Sequence, residues 1–134
     1  MENQMSISVR ALLIAATLTL SATSGAFASG KITILDAAPV AATDVPADAI
    51  IVRINKNKYQ TPELKIKAGT TVVWINDEVM PHNVAFRAGM VDEKGVATPM
   101  LTRGQSASIT FNEAGTYDYF CTPHPFMRAK VIVE

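Results

Sequence analysis

The sequence predicts an all-β domain, a sandwich or barrel of short strands. Three observations carry this reading. Short β-branched and aromatic runs recur along the chain, separated by turn residues. No window beyond residue 28 sustains a 3.6-residue apolar period, and there is no internal repeat. The length, 134 residues, suits one domain, for which roughly 100–200 is usual.

Taken in order, the chain opens with a segment that does not belong to the fold. Arg10 precedes the uncharged apolar run 11–20, and a small-residue stretch leads to Ala26-Phe27-Ala28. This is the charged start, apolar centre and A-x-A ending of a secretory signal peptide. A run of ten apolar residues falls well short of the ~20 that cross hydrocarbon. Residues 1–28 are expected to be a cleaved leader, with the cut after Ala28, and 29–134 a single domain. Removing 28 of 134 residues leaves 106, and removing Arg10 and Glu2 leaves 11 basic and 11 acidic side chains. A chain of that size buries roughly 60–70% of its unfolded surface, enough for one modest core.

Residues 36–49, rich in Ala, Pro and Asp, read as an irregular surface lead-in. Residues 50–54 are a β-branched strand. Thr61-Pro62 punctuates the chain before 63–67, where Leu64 and Ile66 share a face. Ala68-Gly69 turns into 70–76, the strongest strand of the sequence. Residues 83–86 follow, then 107–111, with Ala107, Ile109 and Phe111 on one face. Between these two, 89–104 has no clear strand pattern. Glu113-Ala114-Gly115 turns into 116–121, and 130–133 is the last strand. Tyr117, Tyr119 and Cys121 fall on one face of theirs, so the thiol is expected to point inward.

Composition removes several function classes. Twelve basic side chains balance twelve acidic ones, so there is no basic excess for nucleic acid or an anionic membrane. The chain has one Cys, which excludes an internal disulfide framework, a Cys-rich zinc module and a thiolate-held iron–sulfur site. A c-type haem needs C-x-x-C-H and is excluded by the same count. With two His, any chemistry rests on few groups. An exported chain also meets an oxidising compartment, where an exposed lone thiol is a hazard. Cys121 therefore calls for a role.

One constellation uses every His and Cys. Cys121, His124 and Met127 stand three residues apart in Cys121-Thr122-Pro123-His124-Pro125-Phe126-Met127, and His82 lies upstream in Met80-Pro81-His82-Asn83-Val84. Singly, each has an ordinary explanation: a buried thiol, a packing imidazole, a core thioether. Together they are two imidazoles, a thiolate and a weak thioether, the ligand set of a blue-copper electron-transfer site. Imidazole suits both copper oxidation states and sulfur suits the reduced one, whereas zinc does not ordinarily take a thioether. Tyr119-Phe120-Cys121 also matches the Tyr-x-Cys of an immunoglobulin-type tyrosine corner, but that fold wants a second Cys. Pro123 and Pro125 restrict Thr122 and His124, which limits the sulfur–nitrogen spacing in either oxidation state. An enzyme is not expected, because no further His remains for a second copper or a substrate site. The alternative is a copper storage or delivery protein of the periplasm, for which the Pro-buttressed loop is too rigid.

These motifs resemble the cupredoxins, the type 1 blue-copper proteins. The resemblance runs from about residue 50 to 134 through Tyr59-x-Thr61-Pro62-Glu63-Leu64, Val73-Trp74-Ile75-Asn76, the His82 segment, residues 113–119 and the Cys121–Met127 loop. The very short ligand loop is characteristic of the branch that serves methylamine oxidation. Ala85 and Phe120 depart from the pattern, standing where familiar members carry histidine. The resemblance implies an eight-stranded Greek-key sandwich with one copper, Cu(II)/Cu(I), at one end, held by His82, Cys121, His124 and Met127. It implies that Asn83 ties the two ligand loops through its side chain and faces the Cys121 sulfur with its amide. It implies a monomeric periplasmic carrier taking electrons from methylamine dehydrogenase and passing them to a c-type cytochrome, free of membrane after leader cleavage. Met80, Pro81, Met100, Pro123, Pro125 and Phe126 are apolar residues near the ligand loops, and a contiguous apolar patch there is expected to dock both partners in turn.

Overall fold

A computed structural model describes residues 27–134. The expected leader, 1–28, lies outside the described residues apart from Phe27 and Ala28. The alternating and β-branched stretches become strands of two sheets. The first runs β1 (Phe27–Ser29), β2 (Ile32–Ile34), β10 (Gln105–Phe111), β7 (Thr70–Asn76), β4 (Ile50–Asn55) and β5 (Lys58–Tyr59), with β3 (Val40–Ala41) also beside β10. The second runs β6 (Glu63–Ile66), β12 (Arg128–Val133), β11 (Gly115–Phe120), β8 (Ala85–Phe86) and β9 (Val96–Ala97). Two pairings are parallel, β4 with β7 and β6 with β12. Parallel neighbours cannot be joined by a tight hairpin, and here the chain reaches them by crossing between sheets after β5, β6, β7, β9 and β10. Inward residues of both sheets, among them Val52, Trp74, Ile109, Tyr119 and Val131, form one core, so the all-β architecture is a sandwich.

The described residues form twelve strands, against the eight that the resemblance implies. The surplus is edge pairing: β1, β3, β5 and β9 have two or three residues each. Two of these correct the sequence reading. The lead-in 36–49 contains β3 and a 3₁₀ turn at Ala42–Asp44, and 89–104 contains β9. Both strands owe their form to the edge they pair with, Ser106 and Gln105 for β3 and Ala85 and Phe86 for β9. A two-residue strand has no period to detect. Ile32–Ile34 is a further strand that the sequence reading passed over, although Ile32 and Ile34 are both buried.

Where strands were expected, their faces fall as the alternation requires. Ala107, Ile109 and Phe111 are all fully buried, and so is Trp74 in β7. Tyr117 and Tyr119 point inward, and Cys121, one residue beyond β11, continues the same face. Expected strand 83–86 shortens to Ala85–Phe86 because the Asn83 carbonyl accepts the Tyr59 hydroxyl and the Val84 N–H donates to Thr98 Oγ1 instead. Ala85 and Phe120, the two departures from the family pattern, are cross-strand partners, and Arg87 lies over the Phe120 ring at 4.6 Å. A cation on an aromatic face is favourable.

Two local features fix the ends of the sandwich. Lys56 and Asn57, both at φ 53°, form the tight turn between β4 and β5. Positive φ at both central positions is the type I′ geometry that matches strand twist. At the other end Tyr117 donates its hydroxyl to the Glu113 carbonyl at 2.8 Å. Tyr119, which occupies the Tyr-x-Cys position, instead accepts from the Trp74 indole N–H at 3.2 Å. The corner-type bond thus belongs to Tyr117, two residues earlier. Tyr117→Phe is expected to lower the unfolding free energy by about 1 kcal/mol, the usual net worth of one such bond. Urea unfolding of metal-free protein measures this, and the metal centre's spectrum should not change.

Candidate metal centre

Both sheets contribute to the site. Residues 77–84 carry the chain from β7 in the first sheet to β8 in the second. This crossing is pinned by the buried Asn76 side chain, whose amide donates to the Met80 and Leu101 carbonyls, each at 2.8 Å. Its oxygen accepts the Glu78 N–H at 3.0 Å. His82 then exchanges both backbone hydrogen bonds with Leu101, 3.1 and 2.8 Å. His82 is completely buried and its backbone is locked.

The second contribution comes from the connection between β11 and β12. His124 N–H donates to the Cys121 carbonyl at 3.2 Å, Met127 N–H to the His124 carbonyl at 2.9 Å, and Cys121 N–H to the Met127 carbonyl at 3.3 Å. These bonds close the loop on itself. Cys121 and Met127 are buried, whereas His124 is half-buried. The Asn83 side chain ties the two segments: its Oδ1 accepts from the Thr122 backbone N–H at 2.9 Å and from its hydroxyl at 3.2 Å.

The donor atoms converge. His82 Nδ1 lies 3.5 Å and His124 Nδ1 3.7 Å from Cys121 Sγ, and one ligand atom from each of the three falls within 4.8 Å of the others. The imidazole centroids are 4.7 Å apart. Met127 belongs to the same buried cluster as Cys121. Among the sequence candidates, the structure therefore brings His82, Cys121 and His124 into one group, with Met127 closing its loop and Asn83 linking the two segments.

Electrostatics at the site favour a bound cation. Burial pushes the Cys121 thiol up, against hydrogen bonds to the sulfur from the Asn83 and His124 N–H groups. A thiolate there needs compensating positive charge, and those N–H groups are placed to stabilise it. Burial likewise carries the His82 imidazole below its ordinary value, with the neighbouring His124 acting the same way and Glu78 opposing. Neutral imidazole is the form that binds metal. For Glu78, burial pushes up, but hydrogen bonds from Asn57, His82 and Lys56 and the His82 charge together hold it below the usual carboxylate range. Two imidazoles and a sulfur beside a thioether are the donor set of copper.

The apolar candidates are exposed, and one of them packs on a donor residue. Phe126 is 70% exposed and its ring lies 6.0 Å from that of His124. Met80 and Met100 are also exposed, as are Pro81, Pro123 and Pro125. Sequence reasoning missed three contributors. Val79, 72% exposed, extends the apolar surface. Asn76 and Glu78 hold the His82 segment and its imidazole, the latter through Glu78 Oε1 at 2.6 Å from His82 Nε2. Only the four-residue spacing of Glu78 and His82 hinted at this, and in a loop that spacing carries no rule.

Comparison with known proteins agrees with the geometry. The model of the copper-binding plastocyanin/azurin family matches residues 47–134. The chain is 64% identical to an amicyanin of Paracoccus versutus over 110 residues, 82% of this chain and 83% of that one. It is 53% identical to an amicyanin of Paracoccus denitrificans over 126 residues, 94% of this chain and 95% of that one. The crystal structure of amicyanin from P. versutus superposes with a TM-score of 0.76 at 65% identity, covering 78% of this chain and 98% of the other. A two-sheet sandwich with a His–Cys–His group between its loops and these relatives make the chain a member of the plastocyanin/azurin family of copper-binding proteins, on its amicyanin branch.

Proposed function

We propose that this blue-copper electron carrier holds its copper through His82, Cys121, His124 and Met127, and works in the periplasm between methylamine dehydrogenase and a c-type cytochrome. The observation that carries the ligand assignment is the meeting of one donor atom each from His82, Cys121 and His124 within 4.8 Å, with both Nδ1 atoms 3.5 and 3.7 Å from the sulfur. Copper, when bound, supplies the one-electron couple. The chain's residues do the rest. Backbone bonds fix His82 against Leu101 and close the Cys121–Met127 loop, so the donors are held in similar positions in both oxidation states, which limits rearrangement on electron transfer. The two N–H groups on the Cys121 sulfur withdraw charge from it, which raises the potential. Met127 would supply the weak thioether donor.

His124 is the half-buried ligand, and the exposed apolar residues around it are the surface on which partners dock. An uncharged patch suits a shuttle, because it serves two partners in turn at small interfaces. The leader reading places the working protein outside the cytoplasm. Cleavage after Ala28 leaves only Ser29 of β1, so the sheet edge then falls at β2. No helix among the described residues is long and apolar enough to cross a membrane.

Cys121→Ser exchanges a soft thiolate for a hard oxygen, and the intense visible band should disappear even if copper stays bound. Met127→Gln should remain coloured with a shifted potential, because the axial bond is long and weak. Retention of the band in Cys121→Ser, read by absorption of the copper(II) protein, refutes the assignment. Phe126→Glu puts a charge where docking must desolvate it, and electron transfer from methylamine dehydrogenase should slow by about tenfold, the effect of a ~1.4 kcal/mol loss. Stopped-flow kinetics measure this, and unchanged rates with an unchanged spectrum remove Phe126 from the docking surface.

A further inference from the structure

The buried face of His82 away from the sulfur meets a carboxylate. Glu78 Oε1 lies 2.6 Å from His82 Nε2, and the same oxygen accepts the Asn57 backbone N–H at 2.9 Å. The His82 side chain is 0% exposed and that of Glu78 17%, so this contact is shielded from solvent. Asn57 belongs to the type I′ turn between β4 and β5, and the Glu78 backbone is itself held by Asn76. One carboxylate oxygen thus joins the imidazole to a rigid turn 25 residues away (82 minus 57). His124 has a different neighbour, packing edge-on against the exposed Phe126 ring.

A carboxylate acceptor on Nε2 requires the proton there, which leaves the Nδ1 lone pair free on the side of Cys121 Sγ. Outer hydrogen bonds of this kind set the tautomer and ring orientation of metal-binding histidines and raise their basicity. Glu78 also brings a negative charge near the site, which favours the more highly charged Cu(II). We propose that Glu78 is the positioning residue of His82: it fixes the Nε2–H tautomer, aims Nδ1 into the metal position from the β4–β5 turn, and holds the potential down against the N–H groups that raise it. This rests on His82 being a ligand.

Three variants test it. Glu78→Gln keeps the shape and an oxygen for Asn57 but removes the charge. Glu78→Ala removes the acceptor altogether. Asp77→Asn is the control: it neutralises the adjacent residue, whose carboxylate pairs with Arg53 at 2.8 Å and not with a ligand. Changes around ligating histidines typically alter metal affinity about 10–100-fold. The copper(II) affinity relative to copper(I) is expected to fall about tenfold in Glu78→Gln, a rise in potential of about 59 mV for a one-electron couple, with the blue band retained. Asp77→Asn should change that ratio less than about twofold. In metal-free protein, nitrogen-15 NMR should find His82 as the Nε2–H tautomer alone in the wild type and as a tautomer mixture in Glu78→Ala. The proposal is overturned if Glu78→Gln shifts the potential no more than Asp77→Asn, or if wild-type His82 already samples both tautomers. The NMR result does not depend on the copper assignment, which fails separately if wild-type protein with copper(II) stays colourless.

Discussion

One amide oxygen holds the two halves of the metal centre together. Asn83 Oδ1 takes both the backbone N–H and the hydroxyl of Thr122, and so fastens the segment carrying His82 to the loop carrying Cys121, His124 and Met127. The same residue is used at its other polar groups. Its carbonyl accepts the Tyr59 hydroxyl and its N–H reaches the Cys121 sulfur. Tyr59 packs edge-on against Tyr119, which accepts from Trp74. A continuous line of contacts therefore runs from the centre of the core, where Trp74 is fully buried, to the donor atoms. The sandwich supplies rigidity, and Asn83 delivers it to the site.

The donors themselves are kept in an environment that neither accepts charge freely nor abandons it. Burial disfavours the charged forms of both Cys121 and His82, so a thiolate there calls for a bound cation and the imidazole is left neutral to bind one. Opposing polar contacts then set the balance. N–H groups from Asn83 and His124 draw charge from the sulfur, while the Glu78 carboxylate returns it to the His82 imidazole. Depth separates the two imidazoles: His82 is sealed, whereas His124 lies under Phe126 at the surface. That difference gives the site one protected side and one side close to the surface.

Much of this was legible in the chain. Residues 70–76 announce a strand by their β-branched and aromatic run and 107–111 announce their face by alternation, and Cys121-x-x-His124-x-x-Met127 with His82-Asn83 states its chemistry because the residue types are few and the spacing short. Illegible parts share a physical cause: they depend on partners far away in sequence. β3 and β9 exist through the edges of β10 and β8. Glu78 reads as one more acidic residue until the fold sets its oxygen between His82 and Asn57. Asn76, at the end of an apolar strand, gives no sign that it will orient the following loop. The bond from Tyr117 to the Glu113 carbonyl likewise has no sequence signature, since Tyr117 and Tyr119 look alike in the alternation of their strand.

We propose that two separate loops build one copper centre with sulfur in its inner coordination. Copper-edge X-ray absorption of the wild-type protein loaded with one equivalent of copper(II) tests this most directly. It should show a single copper with one short sulfur contact and two imidazole nitrogens. A first shell of nitrogen and oxygen alone, without the short sulfur, would contradict it.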